Sequence, residues 1–355
     1  MTGSEISGES QCTPQAAGFR WPAEWEHHVA TWLAWPRNPR TWPGKFARIA
    51  PQYARFVRTV AQFEPVRLLC SPQWWDVARP LLGEAATAVT PIDIDFNDSW
   101  VRDYGPTFLL GPDGAPGGID WRYNAWGGKY PPYELDQQAA SRMLQCAAGR
   151  RFACDLTLEG GAIEGNGEGW MMSTTGSVLD DQRNPGWSRQ RVESLWSEYL
   201  GATEFIWLPG DGLAGDDTDG HIDQLARFVS PRHVVAAVSR DEFDENRPSL
   251  DANVERLRQW RSQGDSQQQL DVTALPTPRR RWCQARRLPC SYCNFIFVNG
   301  GAIVPQFDDP ADREAIALLK ELLPGRDVVG APAVDLVWGL GAFHCLSQQQ
   351  VGPSR

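Results

Sequence analysis

The sequence has no run of about 18 consecutive apolar residues, so it offers no helical membrane span. Its first residues, MTGSEISGESQCTPQ, lack the basic segment and apolar run of an export signal. The resulting expectation is a soluble, cytoplasmic protein. Basic residues are in the minority, 34 Lys and Arg against 44 Asp and Glu, for a net charge of -10. That balance speaks against a nucleic-acid surface and suits a cationic ligand. Cysteine is sparse, eight in 355 residues, too dilute for a secreted disulfide scaffold. Most of these thiols are expected to pack as small hydrophobes. Cys290 and Cys293 form a CxxC after Cys283, but no nearby histidine or cysteine completes a four-ligand metal set. Histidine is scarcer still, at five residues, which leaves few candidates for proton transfer near neutral pH.

What is present reads as a mixed α/β protein. With 42% hydrophobic residues the chain can bury a substantial core, and one large domain or two smaller ones fit its length. Residues 1–18, rich in Gly, Ser, Thr and Gln without periodicity, read as a loose tail, with structure starting near Phe19. VRLLC (66–70), EFIWL (204–208), ARFVS (226–230), HVVAAV (233–238) and NFIFVNGGAIVPQF (294–307) read as strands. Ser188 is placed to cap a helix ending at Gly201, and Asp309 with Pro310 to open another that closes at Pro324 and Gly325. LDANVERLRQWRS has helical spacing within a charged surface excursion. LEGGAIEG (158–165) and VNGGAIVP (298–305) share GGAI, and GLGAF (339–343) resembles both. The echo predicts a repeated unit in which glycine lets strands or a ligand approach closely.

The chemistry-bearing residues are few. Cys345 is preceded by His344, but on a strand the two would point to opposite faces, which makes His344 a poor base for that thiol. His27 and His28 lie in a tryptophan-dense stretch and read as packed residues, and His233 opens an apolar strand. His221 remains, in AGDDTDGHIDQLARF, where on a strand it would share a face with Asp223. The aspartates around it also allow a solvated acidic loop or a hard-cation site, although the spacing of an EF-hand is absent. Asp98, Arg102 and Asp103 sit among aromatics in FNDSWVRDYGPTF, and Glu159 precedes paired glycines. Singly, each reads as one side of a salt bridge. Together, Asp103, Glu159, His221, Asp223 and Cys345 suit one substrate type, the guanidinium, whose planar N–H pairs meet carboxylates in two-point contacts. A thiolate then serves as nucleophile, and the bound cation favours that ionised form.

WPAEWEHHVATWLAWP, NDSWVRDYGPTF, NAWGGKYPPY, LEGGAIEG, DDTDGHIDQLARF, SYCNFIFVNGGAIVPQF and FHCLSQQQ, in this order, resemble the agmatine deiminase family. That family is also described as bacterial peptidylarginine deiminase-like and belongs to the guanidine-modifying pentein superfamily. The resemblance runs from about Phe19 to Gln350. It implies a single catalytic domain over 19–355, a five-module α/β propeller of pseudo-fivefold symmetry with the active site at its centre. By motif, Cys345 would be the nucleophile, His221 the general acid and base, Asp103 and Asp223 the guanidinium clamps, and Glu159 a further acidic partner. No metal or organic cofactor, no nucleic acid and no membrane are implied, and a homo-oligomer is expected by analogy. Ala342 stands where relatives commonly carry Asn or Ser, and Cys290 and Cys293 replace non-cysteine residues.

Agmatine lacks the carboxylate of arginine, so a pocket for its distal ammonium should offer an acid. Asp217 stands where the family carries one, while a solvated loop carboxylate is its plain reading. Trp100 and Trp126 are candidates to wall the aliphatic stem. The expected reaction is agmatine and water to N-carbamoylputrescine and ammonia. The alternatives are a deiminase of free or peptidyl arginine giving citrulline, a related amidinotransferase, and a non-catalytic guanidine or polyamine binder. A papain-like hydrolase is disfavoured, because its cysteine precedes its histidine in sequence.

Overall fold

Among the described residues, strands too short to hold a core alone gather into six small sheets, five of which share one wiring. The computed structural model describes residues 12–265 and 267–353. In each of these five a first strand runs antiparallel to a second, the chain crosses through a helix, and a third strand lies parallel to the second. Thr107–Leu110, Pro116–Arg122 and Arg150–Thr157 form one such sheet, with helix Asp136–Cys146 as its crossover. Ile163–Gly165, Trp170–Thr174 and Glu204–Leu208 repeat the pattern around helix Arg189–Leu200. Ala226–Ser230, His233–Val238 and Asp271–Pro276 do so around Arg247–Gln259. Ile296–Val298, Gly301–Gln306 and Asp327–Pro332 do so around Ala311–Leu322. The fifth sheet draws on distant parts of the chain. Its first strand is Ser347–Val351, antiparallel to His28–Ala34, which pairs in parallel with Val66–Leu69 after helix Phe46–Val60. Val89–Ile92 adds a fourth strand in parallel.

The local chemistry explains the elements. Antiparallel neighbours need only a short turn, whereas parallel ones need a crossover, and amphipathic helices supply it here. The Ser188 hydroxyl accepts from the Arg191 N–H at 3.3 Å, and Gly201 ends that helix at φ 68°. Asp309 Oδ1 accepts from the Ala311 N–H at 3.0 Å, with Pro310 at the cap. The Arg247–Gln259 helix buries Leu250, Val254 and Leu257 and leaves its charged face outside. Among the described residues, no helix is long and apolar enough to cross a membrane.

Two expectations need correction. Hydrogen-bonded backbone begins before Phe19: a turn occupies 14–18, and the Gln15 N–H donates to Glu198 O at 3.2 Å. Residues 1–11 of the expected tail lie outside the described residues. The GGAI echo is not the repeat either. Gly160–Ala162 forms a single helical turn, whereas Gly300 and Gly301 make a hairpin corner. The repeated feature is one tight turn just before each first strand, whatever its sequence.

Arg227 joins the sheets at depth. Fully buried, it pairs with Glu24 and, at 2.9 Å, with Glu164. It also donates to Cys293 O at 3.0 Å and Phe295 O at 2.6 Å. Burial alone would oppose ionisation of Glu24, but Arg227 and His344 outweigh it and hold that carboxyl well below its usual range. Arg227→Met leaves two buried carboxylates without this partner and is expected to cost about 3–5 kcal/mol in urea unfolding. A variant within about 1 kcal/mol of the parent would show that the network contributes little.

Candidate active site

The five turns carry the candidate residues. Val101–Tyr104 holds Asp103, Glu159 stands at the head of Gly160–Ala162, and His221 opens Ile222–Gln224, which contains Asp223. Tyr292–Asn294 ends in Asn294, and the turn at 343–346 holds Cys345. A tight turn aims its side chains inward while the following strand fixes its position. His221 and Asp223 therefore lie on a helical turn, not on the strand that their spacing predicted. His344 likewise lies on a turn, and it stays away from the Cys345 sulfur by facing two carboxylates.

Asp103 is buried and accepts from the Trp126 Nε1–H and the Gly161 N–H, each at 3.0 Å. Trp126 reaches it from a left-handed backbone, φ 56°, unusual for a bulky residue. The neighbouring turn is tied by the Asn124 side chain to the Gly127 N–H. The His221 ring is fully buried, 3.7 Å from Asp103 Oδ1 and 3.5 Å from Glu159 Oε2. Neither contact is aligned as a hydrogen bond, and both ring nitrogens lack a hydrogen-bond partner. Asp223 Oδ2 accepts from His344 Nδ1 at 2.7 Å, while Asp223 Oδ1 has no partner. The Cys345 sulfur stands 3.2 Å from Asn294 Nδ2 and 3.6 Å from Asp223 Oδ2.

Burial and like charge set the protonation states. Burial pushes the Asp103 carboxyl up to about 6; Asp223 and Glu159 add to the rise and His221 opposes it. For His221, burial works against the charged ring, but Asp103 and Glu159 outweigh it and raise the pKa to about 9. Burial likewise disfavours ionised Glu159, yet the Arg183 guanidinium, at 2.9 and 3.0 Å from its oxygens, keeps it below the usual range. Burial, reinforced by Asp223 and Asp103, pushes the Cys345 thiol well above its usual value.

A cavity of about 850 Å³ opens onto Asp103 and Cys345, with Trp100, Trp126 and Asp217 on its wall. His221, Glu159 and Asp223 do not line it. Asp217 is engaged by the Tyr130 hydroxyl and, at 3.3 Å, by Arg286. Asp98, singled out with Asp103, is bonded by Thr41 at 2.5 Å and Asn38 at 3.1 Å. Arg102 donates to His344 O at 3.2 Å and Gln349 Oε1 at 2.7 Å, which braces the Cys345 turn.

Sequence reasoning missed Asn294, Arg183 and the partnership of His344. Asn294 Oδ1 accepts from the N–H groups of Ala342, His344 and Cys345 at 3.1 to 3.3 Å. Because the clasp uses only the Ala342 backbone, that departure from the family pattern leaves it intact. SYCNF carried the available signal, since it precedes a strand as HID and RDY do. Nothing in the sequence marked Arg183 as the partner of Glu159. Cys290 and Cys293 are free, buried thiols pushed up to about 12, chiefly by burial. Among the described residues, one group of side chains lies close enough together to hold a metal ion: Glu24, Glu164 and His344. Arg227 already pairs with both of those glutamates.

Fold and site together define a mixed α/β protein with a cysteine, a histidine and three carboxylates gathered at the first turns of its sheets. The chain matches the family described as Porphyromonas-type peptidyl-arginine deiminase over residues 20–351, and it belongs to that family. It is 38% identical to the agmatine deiminase of Pseudomonas aeruginosa, over 97% of this chain and 98% of that one. The solved agmatine deiminase of Enterococcus faecalis superposes with a TM-score of 0.90 at 28% identity, covering 97% and 98% of the two chains. An amidinotransferase from Microseira wollei shares the fold, with a TM-score of 0.55 at 13% identity over 95% of this chain and 98% of that one.

Gly161 is the point where the charged groups meet. A Cβ there would stand 2.6 Å from His221 Nδ1, 2.9 Å from Asp103 Oδ1 and 3.0 Å from Asp223 Oδ2. Gly161→Ala is expected to lose about 1–3 kcal/mol in urea unfolding, because those side chains must shift. An unchanged midpoint would mean that the turn relaxes freely.

Proposed function

We propose that the protein is a hydrolytic deiminase that converts agmatine and water to N-carbamoylputrescine and ammonia through a covalent Cys345 intermediate. One observation carries this reading: in a buried, acidic site the partnerless His221 Nδ1 stands 3.7 Å from Asp103, and Asp223, whose Oδ1 has no partner, brings Oδ2 to 3.6 Å from the Cys345 sulfur. Buried polar atoms without partners are rare and call for an explanation. A guanidinium that enters past Asp103 and Cys345 on the cavity wall offers N–H donors to the buried Asp223 Oδ1 and to the remaining lone pairs of Asp103. Its positive charge offsets the two carboxylates that hold the thiol protonated, so Cys345 ionises as substrate enters and its proton leaves to solvent.

The thiolate then attacks the guanidino carbon. The His221 imidazolium gives its proton to one terminal nitrogen, which departs as ammonia and leaves an amidino-thioether on the sulfur. Neutral His221 next takes a proton from a water that attacks the same carbon. The C–S bond breaks, the second proton of that water passes to solvent, and the ureido product and the Cys345 thiolate are released. Glu159, paired with Arg183, acts through His221 by holding the ring charged. Trp100 and Trp126 flank the stem, and Asp217 receives the distal ammonium. Four cations line the cavity: Arg37, Lys129 and Arg286 pair with Asp95, Asp219 and Asp217, and Arg40 lies near Asp98.

The finer architecture belongs to the same reading: five modules around a pseudo-fivefold axis, in one catalytic domain over 19–355, with the site at the centre. The common wiring of the five sheets and the convergence of their first turns support it.

Purified protein is expected to release ammonia from agmatine and not from arginine or a blocked peptidyl-arginine, with loss of roughly 10⁴-fold or more in Cys345→Ser. Release from arginine instead would overturn the substrate assignment. The pH dependence follows from the two buried groups. As pH falls through about 6, Asp103 is protonated and loses its hold on the cation. As pH rises through about 9, His221 loses the proton it must donate. Because Cys345 must lose a proton before it attacks, kcat/KM is expected to climb with pH between these limits and to stop climbing above about 9, where His221 has already lost one. A rate still climbing beyond pH 9 would count against His221 as the acid.

A further inference from the structure

Arg286 stands where a cationic substrate tail would bind. It lies on a two-stranded hairpin, Trp282–Cys283 against Arg286–Arg287, whose position is fixed from two sides. Arg287 makes a buried pair with Asp244, with Nη2 2.8 Å from Oδ2. Gly215, at φ 90°, lies against the hairpin backbone, where a Cβ would stand 1.9 Å from Arg287 O. Only glycine permits that approach. The hairpin thus held, the Arg286 guanidinium donates to Gly215 O at 2.8 and 3.2 Å and stands 3.3 Å from Asp217 Oδ2. Arg286, Asp217 and Tyr130 all line the cavity.

We propose that Arg286 is a specificity-determining residue, a tethered cation that competes with the distal ammonium of the substrate for Asp217. The inference rests on agmatine being the substrate. When an ammonium takes Asp217, Arg286 keeps its two hydrogen bonds to Gly215 O, and the side chain, 43% exposed, turns its remaining donors to water. Release therefore strands no buried charge, and the competition is of the size found for partly exposed ion pairs. It weakens capture of a charged tail and leaves a neutral tail unaffected. The charge at this end of the cavity thus sets affinity by rivalry as well as attraction.

The test is steady-state kinetics of the full chain with agmatine and with n-butylguanidine, which keeps the guanidinium and has a neutral tail. Arg286→Gln is expected to lower the KM for agmatine about two- to five-fold, with kcat moving less than KM. The KM for n-butylguanidine stays in place, and Arg286→Lys, which keeps a cation, remains nearer the parent. Added salt, raised from about 50 to about 500 mM, narrows the difference between parent and Arg286→Gln. An agmatine KM that is unchanged or higher in Arg286→Gln overturns the inference, as does a fall shared equally by n-butylguanidine. If the parent releases no ammonia from agmatine, the substrate assignment itself fails, and this inference with it.

Discussion

The structure depends on one buried cation. Arg227 contacts Glu24 ahead of the His28–Ala34 strand, Glu164 on another sheet, and two carbonyls just ahead of the Ile296–Val298 strand of a third, so separate sheets share one set of partners. A guanidinium can do this because its donors form a rigid fork, whereas an ammonium is a single point. The network continues to the site: Glu24 Oε2 also meets His344 Nε2 at 3.0 Å, and His344 Nδ1 holds Asp223. Asp223 in turn stands beside the Cys345 sulfur. The position of the sulfur is thus coupled to the packing of sheets that share no strand with it.

Around that sulfur the charges are arranged against themselves. Three buried carboxylates crowd one imidazole, Asp103 sits near the edge of losing its charge, and the thiol is held protonated. Such a site gains when a cation arrives, because one ligand charge relieves several unfavourable terms together. Binding and activation then become one event. In the proposed reaction the thiol stays neutral, and slow to react with oxidants or stray electrophiles, until the guanidinium is in place.

Much of this was legible in the residues. The strands VRLLC, EFIWL, ARFVS and HVVAAV and both capped helices stand where their patterns put them. Asp103, Glu159, His221, Asp223 and Cys345 do converge. What failed was local geometry read from spacing alone: HID and HC sit on tight turns, where alternation of faces does not apply. The GGAI echo failed for a related reason, since glycine serves a hairpin corner in one copy and a crowded turn in the other. Arg183, Asn294 and Arg286 escaped because their meaning lies in contacts across long stretches of sequence, which no periodicity encodes.

The fifth sheet joins strands from opposite parts of the chain; Trp32 and Gln350, hydrogen-bonded across it, are 318 residues apart. Cys345 lies immediately before the strand that completes this pairing. Closing so long a loop is entropically costly and must await the segments between, so the sulfur takes its place late in folding. During synthesis Asp103, Glu159, His221 and Asp223, all earlier in the chain, emerge before Cys345 does. Until the Ser347–Val351 strand pairs with His28–Ala34, the fifth sheet does not hold the Cys345 turn beside the acidic groups.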